Sequence, residues 1–122
     1  MMPLRHVHRG LRGKPGRRQF LMTAGARIAG FALVRDAMEE PAPPPHSIAE
    51  FFVLRRYRRR GIGTEAAGQI IRSLPPGRWV VRQALANRPA RAFWRGAARE
   101  LTSGAFRERQ DDRYDTLEFE ID

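Results

Sequence analysis

Cysteine is absent from the 122 residues, which excludes disulfides, thiolate metal sites and a cysteine nucleophile. The histidines, His6, His8 and His46, are too scattered to form a metal-ligand pattern, so no metal is expected. Lysine is almost as scarce, with Lys14 alone against 22 arginines. No apolar run is long enough to cross a bilayer, and residues 1–18 hold no apolar stretch of the kind a secretory signal needs. These absences lead to the expectation of a cytoplasmic chain with no membrane partner. Its length allows one domain around one core, and an apolar content of 42% is enough to build it.

Acids are missing from the start of the chain. Residues 1–18 carry Arg5, Arg9, Arg12, Lys14, Arg17 and Arg18 without an Asp or Glu, leaving +4 of the net charge of +10 to the other 104 residues. The mixture of Pro, Gly and basic residues shows neither helical nor strand periodicity, which predicts a mobile basic leader over 1–18 and a folded domain over 19–122. Such a leader attracts nucleic acid or anionic surfaces regardless of their sequence.

Gln19 to Ala24 and Arg27 to Arg35 read as two strands joined by a tight turn at Gly25-Ala26. The prolines at 41 and 43–45 force an extended loop, and Ser47 to Leu54 is an apolar strand fit for a central place. Ile62, Ala66, Ile70 and Leu74 recur every four residues, predicting an amphipathic helix over 61–73 that ends at Pro75-Pro76-Gly77. A strand over 79–85 follows, then a helix with Pro89 in its first turn running to about Glu100. Residues 105–109 and 114–121 alternate polar and apolar side chains and form a closing hairpin.

The centre of this pattern is Glu50-Phe-Phe-Val-Leu-Arg-Arg-Tyr-Arg-Arg-Arg-Gly-Ile-Gly-Thr64, a strand, a basic segment and a glycine-opened helix. Gly61 and Gly63 allow a tight turn and bare N–H groups, the helix N-terminus favours an anion, and the arginines add fork-shaped donors suited to phosphate oxygens. A Walker loop is excluded because no lysine follows the glycines. A dinucleotide fingerprint lacks the acidic residue expected some 20 positions on, near Arg82 and Gln83.

The remaining form, Arg/Gln-x-x-Gly-x-Gly/Ala, is met by Arg58-Arg59-Arg60-Gly61-Ile62-Gly63 and resembles the acetyl-CoA loop of the GNAT superfamily of acetyltransferases. Asn87-Arg-Pro-Ala90-Arg-Ala-Phe93-Trp94 resembles that family's second motif, in the right order and separated by a helix and a strand. The resemblance covers 19–122, is closest over 48–104, and is strongest to a bacterial branch of predicted acetyltransferases. It implies a mixed α/β fold, of the α+β type, with a mostly antiparallel central sheet flanked by helices and lacking the usual N-terminal strand and two helices.

The resemblance also implies the site. The backbone of Phe51, Phe52 and Val53 would line pantetheine, and Arg58, Arg59, Arg60, Gly61, Ile62, Gly63 and Thr64 would cradle the pyrophosphate. Arg55 and Arg56 are read either as a solvated face or as contacts to a 3′-phosphate. Asn87 would either bond the cofactor's amides or cap its helix. Trp94 stands where relatives carry a proton-donating Tyr, and Arg82 where some carry a catalytic Glu. Glu50, flanked by Ile48, Phe51 and Phe52, is then either the candidate base, partly buried with a raised pKa, or an outward-facing strand residue paired with an arginine. The implied function is acetyl-CoA-dependent N-acetylation of a primary amine by direct attack, with acetyl-CoA and an amine as partners, a homodimer allowed and nucleic acid disfavoured. The alternative is a noncatalytic CoA-binding or basic nucleic-acid-associated protein.

Overall fold

The computed structural model describes residues 6–9 in backbone only, and residues 16–36, 45–58 and 61–122 in full. In chain order the elements are β1 (His6–Arg9), β2 (Arg17–Ala24), β3 (Arg27–Arg35), β4 (His46–Val53), a 3₁₀ turn (Arg55–Tyr57), α1 (Ile62–Ser73), β5 (Gly77–Ala84), α2 (Arg88–Thr102), β6 (Phe106–Gln110) and β7 (Tyr114–Ile121). The strands form one mixed sheet in the order β1-β2-β3-β4-β5-β7-β6. Among the described neighbouring strands only β4 and β5 run parallel.

Two expectations for the start of the chain are corrected here. His6–Arg9 lies within the segment expected to be a mobile leader, yet it pairs antiparallel with β2 from His6↔Thr23 to Arg9↔Phe20. The strand β2 also begins earlier than expected, at Arg17. Arg18 is pulled into the fold by a buried carboxylate: its Nε donates to Asp36 Oδ2 at 2.7 Å. Asp36 also lies 3.5 Å from His46 Nδ1, and His46 Nε2 is 3.1 Å from the Pro75 carbonyl. This buried polar chain ties the ends of β2, β3 and β4 to the end of α1.

The core sits on one face of the sheet. Phe20 and Met22 of β2, Ala32 and Val34 of β3, Trp79 and Val81 of β5, and Leu117 and Phe119 of β7 form one cluster with the buried stripes of the helices: Ile62, Ala66, Ile70 and Ile71 of α1, and Trp94, Ala97 and Ala98 of α2. Both helices therefore cover the same face. The topology requires it, because two right-handed crossovers that step across the sheet in one direction place their helices on one side. The intervening residues point the other way, and among them Leu21, Ile28, Phe31 and Phe52 are 37%, 55%, 44% and 40% exposed. Among the described residues no helix covers that face.

The ends of α2 follow from local chemistry. Asn87 Oδ1 accepts from Ala90 N at 3.3 Å, and Ser103 in the left-handed region (φ 53°) lets Gly104 N reach back to Arg99 O at 3.0 Å, satisfying a carbonyl of the last turn. The predicted turn at 110–113 is closed by Asp111, whose Oδ1 accepts from the N–H groups of Arg113 and Tyr114 at 2.7 Å each.

Candidate active site

The strands β4 and β5 are paired only at His46↔Trp79 and Ser47↔Val80. On its other edge β4 stays bonded to β3 out to Val53, with a register shift that leaves Ala49 bulged between Ile48 and Glu50. A bulge bends its strand and sharpens the local twist, so the two parallel strands part at this point. A slot opens between them, bordered by backbone groups of β4 that no strand takes up.

The slot leads into a cleft of about 1180 Å³ lined by Phe51, Phe52, Val53, Arg55, Arg58, Gly61, Gly63, Thr64, Asn87, Phe93 and Trp94 among others. The helix α1 begins at its edge. Gly61 (φ 76°) stands at the N-cap, no side chain caps the helix, and the first intrahelical bond is Glu65 N to Gly61 O at 3.0 Å. The N–H groups of Ile62, Gly63 and Thr64 therefore have no intrahelical acceptor, and they carry the positive end of the helix dipole. With Arg55 and Arg58 beside them, this edge suits a diphosphate. A second cavity, of about 1100 Å³, lies at the opposite end of the sheet among Arg72, Leu101, Ser103, Phe106 and Ile121. It faces the C-terminal ends of both helices, where the dipole opposes an anion, so it is the poorer phosphate site.

The structure brings most of the sequence-derived residues to one cleft but changes what several of them do. Arg59 and Arg60 lie outside the described residues. Arg58 donates from Nε to the Val53 carbonyl at 2.9 Å and lies 5.4 Å over the Phe52 ring, so it also engages one of the backbone groups expected to meet pantetheine. Ile62 contributes only its N–H, because its side chain is in the core. Gly63 faces Phe93: a Cβ there would come within 3.0 Å of the Phe93 ring. Asn87 makes the cap bond given above.

The two residues assigned to catalysis lie on the wall and at the rim of the cleft. Trp94 is buried and stacks edge-on against Phe51 at 5.0 Å and Phe93 at 5.1 Å, which makes it part of the cleft wall. Glu50 is exposed, the outward-facing of its two readings, because the bulge at Ala49 turns it to the uncovered face of the sheet, level with Leu33 and next to Phe52. It borders the slot from that side.

Sequence reasoning missed Tyr57, which is buried within the arginine run, and the clamp on α2. There Arg91 donates to Asp115 Oδ2 at 3.0 Å and to the Leu85 carbonyl at 3.1 Å, fixing the strand-to-helix corner that carries Asn87. Tyr57 had a readable signal, a lone aromatic among arginines. Arg91 and Asp115 had none, being 24 residues apart. Among the described residues no cluster of His, Asp and Glu has metal-binding geometry, and no helix is long and apolar enough to cross a membrane.

A sheet splayed at its parallel pair, with a glycine-started helix at the splay, is a mixed α/β fold of the GNAT acetyltransferase type. The chain belongs to the Acetyltransferase (GNAT) family, whose profile matches residues 3–97. No curated protein matches it in sequence. Among solved structures, an acetyltransferase from Thermus thermophilus superposes with a TM-score of 0.67 at 19% identity, over 88% of this chain and 66% of that one. A Bacillus subtilis acetyltransferase in complex with CoA gives a TM-score of 0.72 at 11% identity, over 97% and 99%. A GNAT family acetyltransferase from Elizabethkingia anophelis with acetyl-CoA bound gives 0.67 at 10% identity, over 95% and 97%. The chain thus spans 66% of the length of the Thermus protein and nearly all of the other two.

Proposed function

We propose that the protein transfers the acetyl group of acetyl-CoA to a primary amine by direct attack. The observation that carries this reading is the coincidence, in one cleft, of the uncapped N–H groups of α1 with the slot between β4 and β5. Family membership and the CoA and acetyl-CoA complexes of the Bacillus subtilis and Elizabethkingia anophelis proteins support the same ligand.

In this reading the N–H groups of residues 62–64, with Arg55 and Arg58, bind the pyrophosphate. The free edge of β4 at Phe51 and Phe52 bonds the pantetheine amides. Phe51, Phe93 and Trp94 form an apolar wall that keeps water from the chain. The slot directs the thioester toward the uncovered face of the sheet, where Glu50 stands. Glu50 takes the proton as the amine nitrogen forms its bond to the acetyl carbon and the carbon–sulfur bond breaks. The thiolate that leaves takes a proton from solvent, since neither Trp94 nor Arg82 is an acid at neutral pH.

Replacing Glu50 by Gln keeps shape and removes the proton acceptor. Initial rates of thiol release are expected to fall roughly 10²-fold, the usual scale of general-base catalysis, while the KM for acetyl-CoA stays unchanged. An active acceptor turned over equally well by Glu50→Gln would remove Glu50 from the chemistry.

A further inference from the structure

Strand register sets rows of side chains across the uncovered face, and the rows differ in character. Where β4 and β5 are still paired, the row is basic on its β2–β3 side, with Arg17 opposite Arg35. Two residues further on, counting Ala49 as bulged out, Glu50 stands on the β4 side of the slot and Arg82 at the same level on the β5 side. Both are exposed. Beyond them the β2–β4 side is apolar: Leu21 opposite Phe31, and Phe31 opposite Phe52, with the two rings 5.7 Å apart.

The slot therefore opens between a carboxylate and a guanidinium, beside an aromatic surface. The Arg82 guanidinium lies 4.4 Å over the Tyr114 ring, which holds it in place without neutralising it. Among the described residues neither charge is held in an ion pair, although the Asp111 carboxylate lies within electrostatic reach of Arg82.

We infer that the acceptor is an amine that carries its own carboxylate beside the nitrogen and an apolar side chain, that is, an apolar or aromatic α-amino acid. Its ammonium meets Glu50, its carboxylate meets Arg82, and its side chain lies on Leu21, Phe31 and Phe52. The inference rests on the acetyl-transfer reading, because the slot must deliver the thioester to this face. Polyamines and aminoglycosides fit poorly: Arg17, Arg35 and Arg82 repel them, and the chain carries +10 overall. A simple amine leaves Arg82 without a partner, and a site built for an anion discriminates against a ligand that lacks one. The ammonium first gives one proton to solvent by way of Glu50; the neutral amine then attacks and passes its second proton to Glu50 as the carbon–sulfur bond breaks, and the thiolate takes a proton from solvent, leaving an N-acetyl amino acid and free CoA thiol.

The test begins with calorimetry of acetyl-CoA binding, which examines the cofactor reading separately. Thiol release is then followed with L-phenylalanine, phenethylamine, glycine and spermidine. The expected order places L-phenylalanine first in kcat/KM, roughly 10²-fold above phenethylamine, the same amine without the carboxylate. Arg82→Gln should erase that ratio by raising the KM for phenylalanine while acetyl-CoA affinity stays as before. Phe52→Ser should narrow the preference for phenylalanine over glycine. The inference is overturned if acetyl-CoA binds but spermidine or phenethylamine is acetylated as well as phenylalanine, if none of the four is acetylated, or if Arg82→Gln leaves the ratio intact. Loss of acetyl-CoA binding itself would instead overturn the cofactor reading, and this inference with it.

Discussion

Gly61 and Gly63 stand two residues apart and are glycines for different reasons. Gly61 has φ 76° and open space around a notional Cβ, so a side chain there costs backbone strain of about 1 kcal/mol but no clash. Gly63 lies inside α1, where a Cβ would come within 3.0 Å of Phe93 and 3.6 Å of Val53, so a side chain would push α2 away from α1 and widen the cleft. Gly63→Val is accordingly expected to lose about 1–3 kcal/mol by chemical denaturation, the usual cost of overpacking, and to raise the KM for acetyl-CoA. A variant as stable as the wild type would show that the helices are free to part. The sequence pointed to both glycines through the spacing of the loop but gave the pair one shared account, a tight turn with bare N–H groups near a ligand. Contact between the two helices joins residues 30 positions apart, and spacing within a motif does not report it. Glu50 shows the same limit: its identity was readable, whereas its exposure depends on a bulge that only pairing with β3 creates.

The elements themselves were largely legible, since apolar periods of two and of about four mark most strands and both helices to within a residue or two. The exceptions had weak local signals. In β1 the run His-Val-His-Arg has a single aliphatic residue, and its strand state comes from the edge that β2 offers it. The attachment of α2 to the C-terminal hairpin was also invisible in sequence. Arg95 forks onto Glu108, with Nε to Oε1 at 3.1 Å and Nη2 to Oε2 at 2.6 Å. The hydrogen bond from Arg95 holds the Glu108 carboxyl down at about 2 from an ordinary 4.5. A folded-state value below the unfolded one means that the pair adds stability above the unfolded value and that this is lost as pH falls through the folded one. The thermal midpoint of the wild type should therefore exceed that of Glu108→Gln above pH 4.5, and the gap should close between about 4.5 and about 2. Because the pair is partly exposed, screening limits the effect to about 1 kcal/mol or less. Parallel pH curves for the two proteins would mean that the fork contributes nothing measurable.

At the scale of the whole molecule, the described residues form two layers, with one face of the sheet used for the core and no described helix on the other. The sequence reading found no match for the N-terminal strand and two helices that the resemblance implies on that wall of the sheet. It could not show which side chains would line that wall, since this depends on register across four strands and on two bulges. The cleft forms where the two faces communicate, at the divergence of β4 from β5. The central claim is that the uncapped start of α1 at this divergence binds the pyrophosphate of acetyl-CoA. Calorimetric titration of acetyl-CoA into the wild type, Gly61→Asn and Gly61→Glu measures this most directly. Asn tolerates the left-handed backbone and adds no charge, whereas Glu sets a like charge against the phosphates at a cost of several kcal/mol, roughly 10² or more in affinity. The account predicts binding by the wild type, near-normal binding by Gly61→Asn, and loss of binding by a Gly61→Glu protein whose circular dichroism remains that of the fold. Undiminished affinity in that folded Gly61→Glu protein would contradict it.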